Sequence, residues 1–84
     1  MTGVELLEAH SDEVAEMSDG FPGAINVLCA ICLYCPGVAV DVLISLRAMG
    51  VRGARIYGTF KQLCNEDLDN FCERALRRDP ALYE

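Results

Sequence analysis

"GFPGAINVLCAICLYCPG", residues 20–37, is the stretch on which the fold turns. Pro22 suits the first position of a helix, where its missing N–H removes no intrahelical bond. Ile25, Val27, Leu28, Ile31 and Leu33, together with three cysteines, cover nearly the whole circumference up to about Tyr34, and only Asn26 is polar. A helix that is apolar all round belongs at the centre of a fold or in an interface. Its start is also bare of side chains. Gly23 and Ala24 stand just inside it and Phe21 beside it, an arrangement that suits close approach of another group to the backbone.

Helix signals continue outward on both sides, and no strand-like alternation appears. Thr2-Gly3-Val4-Glu5 has the form of a capping box. Val4, Leu7, Val14 and Met17 then recur at helical spacing with Leu6 and His10 beside them, so one helix is expected up to a stop near Gly20. Gly37 to Met49 reads as a third helix, with Val38, Val42, Leu46 and Met49 on one face and Gly50 as its stop. A short connector leads to a fourth helix over about residues 54–64. There Ile56, Phe60, Leu63 and Cys64 share one face, and Tyr57 and Lys61 lie at its border. Asn65 is the expected N-cap of a fifth helix carrying Leu68, Phe71, Cys72, Ala75 and Leu76. The expectation is an all-α protein, one domain over residues 1–84, a compact bundle of about five short helices.

The apolar share, 52% of 84 residues, is large for so short a chain. A small domain encloses little volume, so the surplus points to assembly into a homo-oligomer through the helices around residues 24–46. No membrane association is expected. The longest apolar run, Val27–Pro36, falls short of the ~20 residues that span a bilayer, and Asn26, Pro36-Gly37 and Asp41 interrupt the wider segment. The first twenty residues are acidic and lack Lys and Arg, the opposite of a secretory n-region. Five cysteines, an odd number, argue for a reducing compartment.

The net charge of −6 is unevenly spread. Residues 1–46 hold acids and no Lys or Arg. Between Val42 and Asn65 the order is reversed: Arg47, Arg52, Arg55 and Lys61 occur with no acid. An acidic protein is a poor ligand for duplex nucleic acid, whereas a local basic segment suits a small anion or an acidic partner.

Cys29, Cys32 and Cys35 follow C-x2-C-x2-C, a spacing that raises zinc or an iron–sulfur cluster. Their place within a strongly apolar helix favours packing instead, and no metal or other cofactor is expected. His10, the lone histidine, has no identifiable nucleophile beside it. No paired-carboxylate site, P-loop or nucleophile elbow is present, so an enzyme is not expected. The binding features lie elsewhere. The helix start at Pro22, Gly23 and Ala24 offers N–H groups to an anion. Phe21 and Tyr57 offer faces to a base. Arg52, Arg55 and Lys61 supply charge, and Gly58 leaves room in mid-helix. The alternative reading makes Phe21 a staple, Gly58 a helix crossing and the basic residues a solvated face.

Two segments, "GFPGAINVL" (20–28) and "GVRGARIYGTFKQLCNEDLDNF" (50–71), resemble a widespread family of small helical bacteriophage proteins. Members carry a Gly-Asn-Pro-Gly-Ala start to an apolar helix, then Gly-Ser-Arg-Ile-aromatic, then aromatic-Lys-Asp-x-Cys-Gly-x-Asp. The matching positions here are Pro22-Gly23-Ala24, Arg55-Ile56-Tyr57, Phe60-Lys61, Cys64 and Asp67. Phe21 stands in place of the family's Asn, and Asn65 in place of a Gly. The resemblance implies an anti-defence sponge: an oligomer in the host cytoplasm that sequesters a cyclic-nucleotide signal and silences CBASS-type immunity. The residues alone also fit a small acidic inhibitor of a host enzyme, or an assembly protein with no ligand.

Overall fold

The computed structural model describes residues 2–83. They form six α-helices and a terminal 3-10 turn, with no strand among the described residues: α1 (Gly3–Ala9), α2 (Ser11–Ser18), α3 (Pro22–Tyr34), α4 (Ala39–Met49), α5 (Ala54–Gln62), α6 (Leu68–Leu76) and the turn Pro80–Leu82. The apolar segment is the hub, since α3 packs against every other α-helix. Ala24, Leu28, Ile31 and Cys32 of α3 are fully enclosed, along with Val42 and Leu46 of α4, Ile56 of α5, Phe71 of α6 and Leu82 of the terminal turn. Each large aliphatic side chain buried in this way contributes about 1.5–3 kcal/mol relative to its exposed state. Phe60 and Phe71 meet edge to face, with centroids 6.0 Å apart, and join α5 to α6.

The helix count differs from the five expected because the first expected helix is two. His10, at φ −111°, ends α1 and precedes α2. Both short helices lie against α3, and a straight rod would leave its hub before reaching the far end. The approach at the α1 end is close: a Cβ on Gly3 would stand 2.8 Å from the Leu33 carbonyl oxygen and 2.9 Å from that of Cys32. The break also resets the buried face. Leu6 is enclosed while Val4 is 57% exposed, contrary to the face drawn through Val4 by an unbroken helix. Thr2 does cap α1, accepting the Glu5 N–H at 3.2 Å.

At α6 the expected cap moves by two residues. Asp67 is the N-cap, accepting the Asn70 N–H at 3.2 Å. Asn65, at φ 53°, instead turns the chain out of α5 in the left-handed region, which Asn tolerates better than most residues. Likewise α4 begins at Ala39, after the turn in which the Val38 N–H reaches the Cys35 carbonyl. Among the described residues no helix is long and apolar enough to cross a membrane.

A polar clamp ties the α4–α5 connector to the end of α2. The Gly53 N–H donates to the Met17 carbonyl at 2.7 Å. The Arg52 guanidinium spans both Asp19 oxygens, at 2.6 and 3.1 Å, and donates to the Glu16 carbonyl at 3.1 Å. This fixes where α5 starts, and so where its side chains meet α3.

Candidate functional site

The N-terminal end of α3 and the outer side of α5 meet in one surface. Phe21 is the N-cap of α3, extended at φ −78° and with no side-chain cap bond. Its carbonyl takes the Ile25 N–H at 3.1 Å. With Pro22 next, Gly23 and Ala24 are the first-turn residues whose N–H groups have no intrahelical acceptor. The Phe21 and Tyr57 rings lie 6.1 Å apart, tilted by 58°. The Lys61 ammonium stands over the Tyr57 ring, 5.8 Å from its centroid. Tyr57 and Lys61 are one helical turn apart on α5, so a single face of that helix delivers both.

The bare start of α3 has a partner within the chain. A Cβ on Gly23 would fall 2.7 Å from Cγ and Cδ1 of Tyr57 and 3.2 Å from Cε1 of Phe21. The Tyr57 ring thus occupies the room that glycine leaves. Ala24 is fully buried and belongs to the core, while Phe21, Pro22 and Lys61 face solvent.

A shallow groove of about 470 Å³ runs along the adjoining side of α5, lined by Ala54, Arg55, Gly58, Thr59, Gln62, Leu63 and Ala81. Gly58 sits in its floor with nothing within 4 Å of the point where a Cβ would be. Leu63, expected on the apolar face of its helix, is 40% exposed at the groove edge. Arg55 borders the groove and donates from Nε to the Leu82 carbonyl at 2.8 Å, so it also anchors the terminal turn. Gln62 was within reach of sequence reasoning, being one turn beyond Gly58. Ala81 was not, because only the fold brings the terminal turn beside α5.

Of the residues singled out in the sequence, Phe21, Pro22, Gly23, Tyr57 and Lys61 therefore converge, and Arg55 and Gly58 line the neighbouring groove. Arg52 is held by the α2 clamp. Its guanidinium draws the Asp19 carboxyl below its ordinary value of 3.8, through their hydrogen bonds first and through charge second. Among the described residues no three His, Cys, Asp or Glu side chains are grouped to hold a metal ion. The three cysteines of the C-x2-C-x2-C run separate: Cys32 is buried, Cys29 is half-buried, and Cys35 closes the helix.

Comparison with protein-family models, with curated proteins and with solved structures finds no match to this chain.

Proposed function

We propose that the protein is a non-catalytic binding module that sequesters an anionic nucleotide and releases it intact. The ligand is a cyclic oligonucleotide immune signal, and the protein acts as a phage anti-defence sponge, a homo-oligomer in the host cytoplasm. One observation carries this reading: the Phe21–Tyr57–Lys61 cluster at the start of α3, beside the Arg55–Gly58 groove. An exposed ring supplies a stacking surface, and Lys61 with the Gly23 N–H supplies charge and donors for a phosphate. Leu33, Tyr34, Val40 and Ile44, all exposed on α3 and α4, supply apolar surface for the assembly.

A second reading rests on the opposite side of the charge map. Glu5, Glu8, Asp12 and Glu16 are exposed along α1 and α2, a surface suited to a basic patch on a host enzyme. Calorimetry against a panel of cyclic di- and trinucleotides separates the two, with chromatography of the recovered ligand. Saturable heat and an unchanged ligand are expected. No heat with any member returns the protein to the inhibitor reading, and a linearised product reveals catalysis. Light scattering at micromolar concentration is expected to give at least a dimer mass.

A further inference from the structure

Cys35 closes α3 and opens onto a second groove, of about 440 Å³, between the α3–α4 corner and α6. Tyr34, Pro36, Val38 and Leu76 line it, with Cys35, Asp69 and Cys72 among them. The Cys35 thiol donates to Asp69 Oδ1 at 3.6 Å. Cys72 lies one turn beyond Asp69 on α6 and lines the same groove, which sets its thiol beside that of Cys35. Cys35 is half-buried at the groove surface and Cys72 is buried behind it. An accessible thiol thus has a carboxylate at its hydrogen and a second, enclosed thiol beside its sulfur.

The structure assigns Cys35 and Cys72 as a reversible dithiol–disulfide pair, with hydrogen peroxide as the oxidant that reaches them through this groove. Cys35 reacts first. Asp69 takes its proton as the sulfur attacks one peroxide oxygen. The O–O bond breaks, the distal oxygen leaves as water with that proton, and Cys35 becomes a sulfenic acid. The Cys72 sulfur then attacks the Cys35 sulfur. The S–O bond breaks, and the oxygen leaves as a second water carrying the Cys72 proton. Two thiols have lost two electrons in all and one peroxide has become two waters. A small thiol reductant reverses the change by exchange. The order follows from access: Cys35 is half-buried at the groove and Cys72 is enclosed behind it. Burial pushes both thiols up, that of Cys72 to about 12, so Asp69 beside Cys35 is the group placed to take a proton. The bond ties the end of α3 to α6 and closes the loop of residues 35–72.

Peroxide treatment of the whole protein, followed by alkylation, intact mass and tandem mass spectrometry, tests this. The expected product is a chain not cross-linked to another, lighter by ~2 Da before alkylation and taking up three alkyl groups instead of five after it under denaturing conditions, with the bond mapped to Cys35 and Cys72 and removed by dithiothreitol. Its thermal midpoint is expected to rise by at least ~5 °C. Cys35→Ser and Cys72→Ser are each expected to lose the product, and Cys29→Ser to keep it. A bond at another pair, a cross-linked dimer, or five alkylatable thiols once the peroxide-treated protein is denatured would overturn the assignment. Because mapping is done on the unmodified chain, the result stands even if a serine variant fails to fold.

Discussion

Tyr57 fills the space that Gly23 leaves: a Cβ on Gly23 would lie 2.7 Å from two ring carbons of Tyr57. Those carbons include Cγ, at the root of the ring, so the ring cannot swing clear without moving its own stem. Gly23→Ala is therefore expected to destabilise the protein by ~1–3 kcal/mol, although alanine is the better helix former. Urea denaturation measures it. In Gly23→Ala/Tyr57→Ala the two costs are expected to be less than additive, because the second change removes the clash. An unchanged or raised stability in the single variant would show that glycine is there for something outside the chain.

Gly58 gives the opposite expectation. It is in mid-helix with open space around it, so Gly58→Ala gains helix propensity and meets nothing. The isolated protein is expected to gain ~1 kcal/mol in urea denaturation. If the groove holds a ligand, the same variant weakens binding in calorimetry, and the pair of measurements separates the groove's use from the helix's stability.

Arg55 and Lys61 are expected to differ in kind. Arg55→Ala frees the Leu82 carbonyl and loosens the terminal turn, at a cost of about 1 kcal/mol in stability. Lys61→Ala removes an exposed ammonium and is expected to leave stability within ~0.5 kcal/mol. On the proposed reading its effect falls on the nucleotide, and loss of one charge-assisted bond is expected to weaken the affinity in calorimetry at least ~tenfold. Arg77, which pairs with Glu73 one turn earlier at 3.5 Å, is the control expected to do neither.

The Asp19–Arg52 clamp predicts a pH dependence. Arg52 holds the folded Asp19 carboxyl below 3.8, so folding favours the ionised form. The contribution is fully present above that value and is lost as pH falls through the folded one. Asn keeps the shape of Asp19 and its tolerance of φ 51°, but not its charge. Melting curves of wild type and Asp19→Asn are expected to differ at neutral pH and to converge as the pH falls below the lowered, folded-state value of Asp19. A constant difference across the range would trace the effect to something other than the carboxylate.

The features legible in the sequence were local ones. Pro22 marked the start of α3 and its apolar girth marked it as central. Thr2 marked a cap, and Gly50, at φ 74°, marked a stop. Aromatic, glycine and basic residues at 21–23 and 57–61 were grouped by chemistry, and the fold sets them side by side. What could not be read was set by contacts distant in sequence. Nothing around His10 signals a break, since the helical spacing runs through it and only the demands of α3 bend the chain there. Asn65 and Asp67 are both good caps, and the turn out of α5 chooses between them. Arg52 looked like a binding cation because its partner, Asp19, lies 33 residues away. In sequence Cys35 stands with Cys29 and Cys32, yet its neighbours in the fold, Asp69 and Cys72, come from α6.

The hub position of α3 has a consequence for how the chain is made. Its contacts with α1 and α2 are between neighbours in sequence, so those three helices can begin to assemble on the ribosome as they emerge. Tyr57 and Lys61 arrive 34 to 40 residues after Phe21 and Gly23, a delay of roughly 2–8 seconds at ordinary synthesis rates. During that interval the glycine notch at the head of α3 is open and the aromatic pair does not exist. The surface that joins the head of α3 to α5 is thus a late product of synthesis, and a nascent chain stalled before α5 would carry the hub without it.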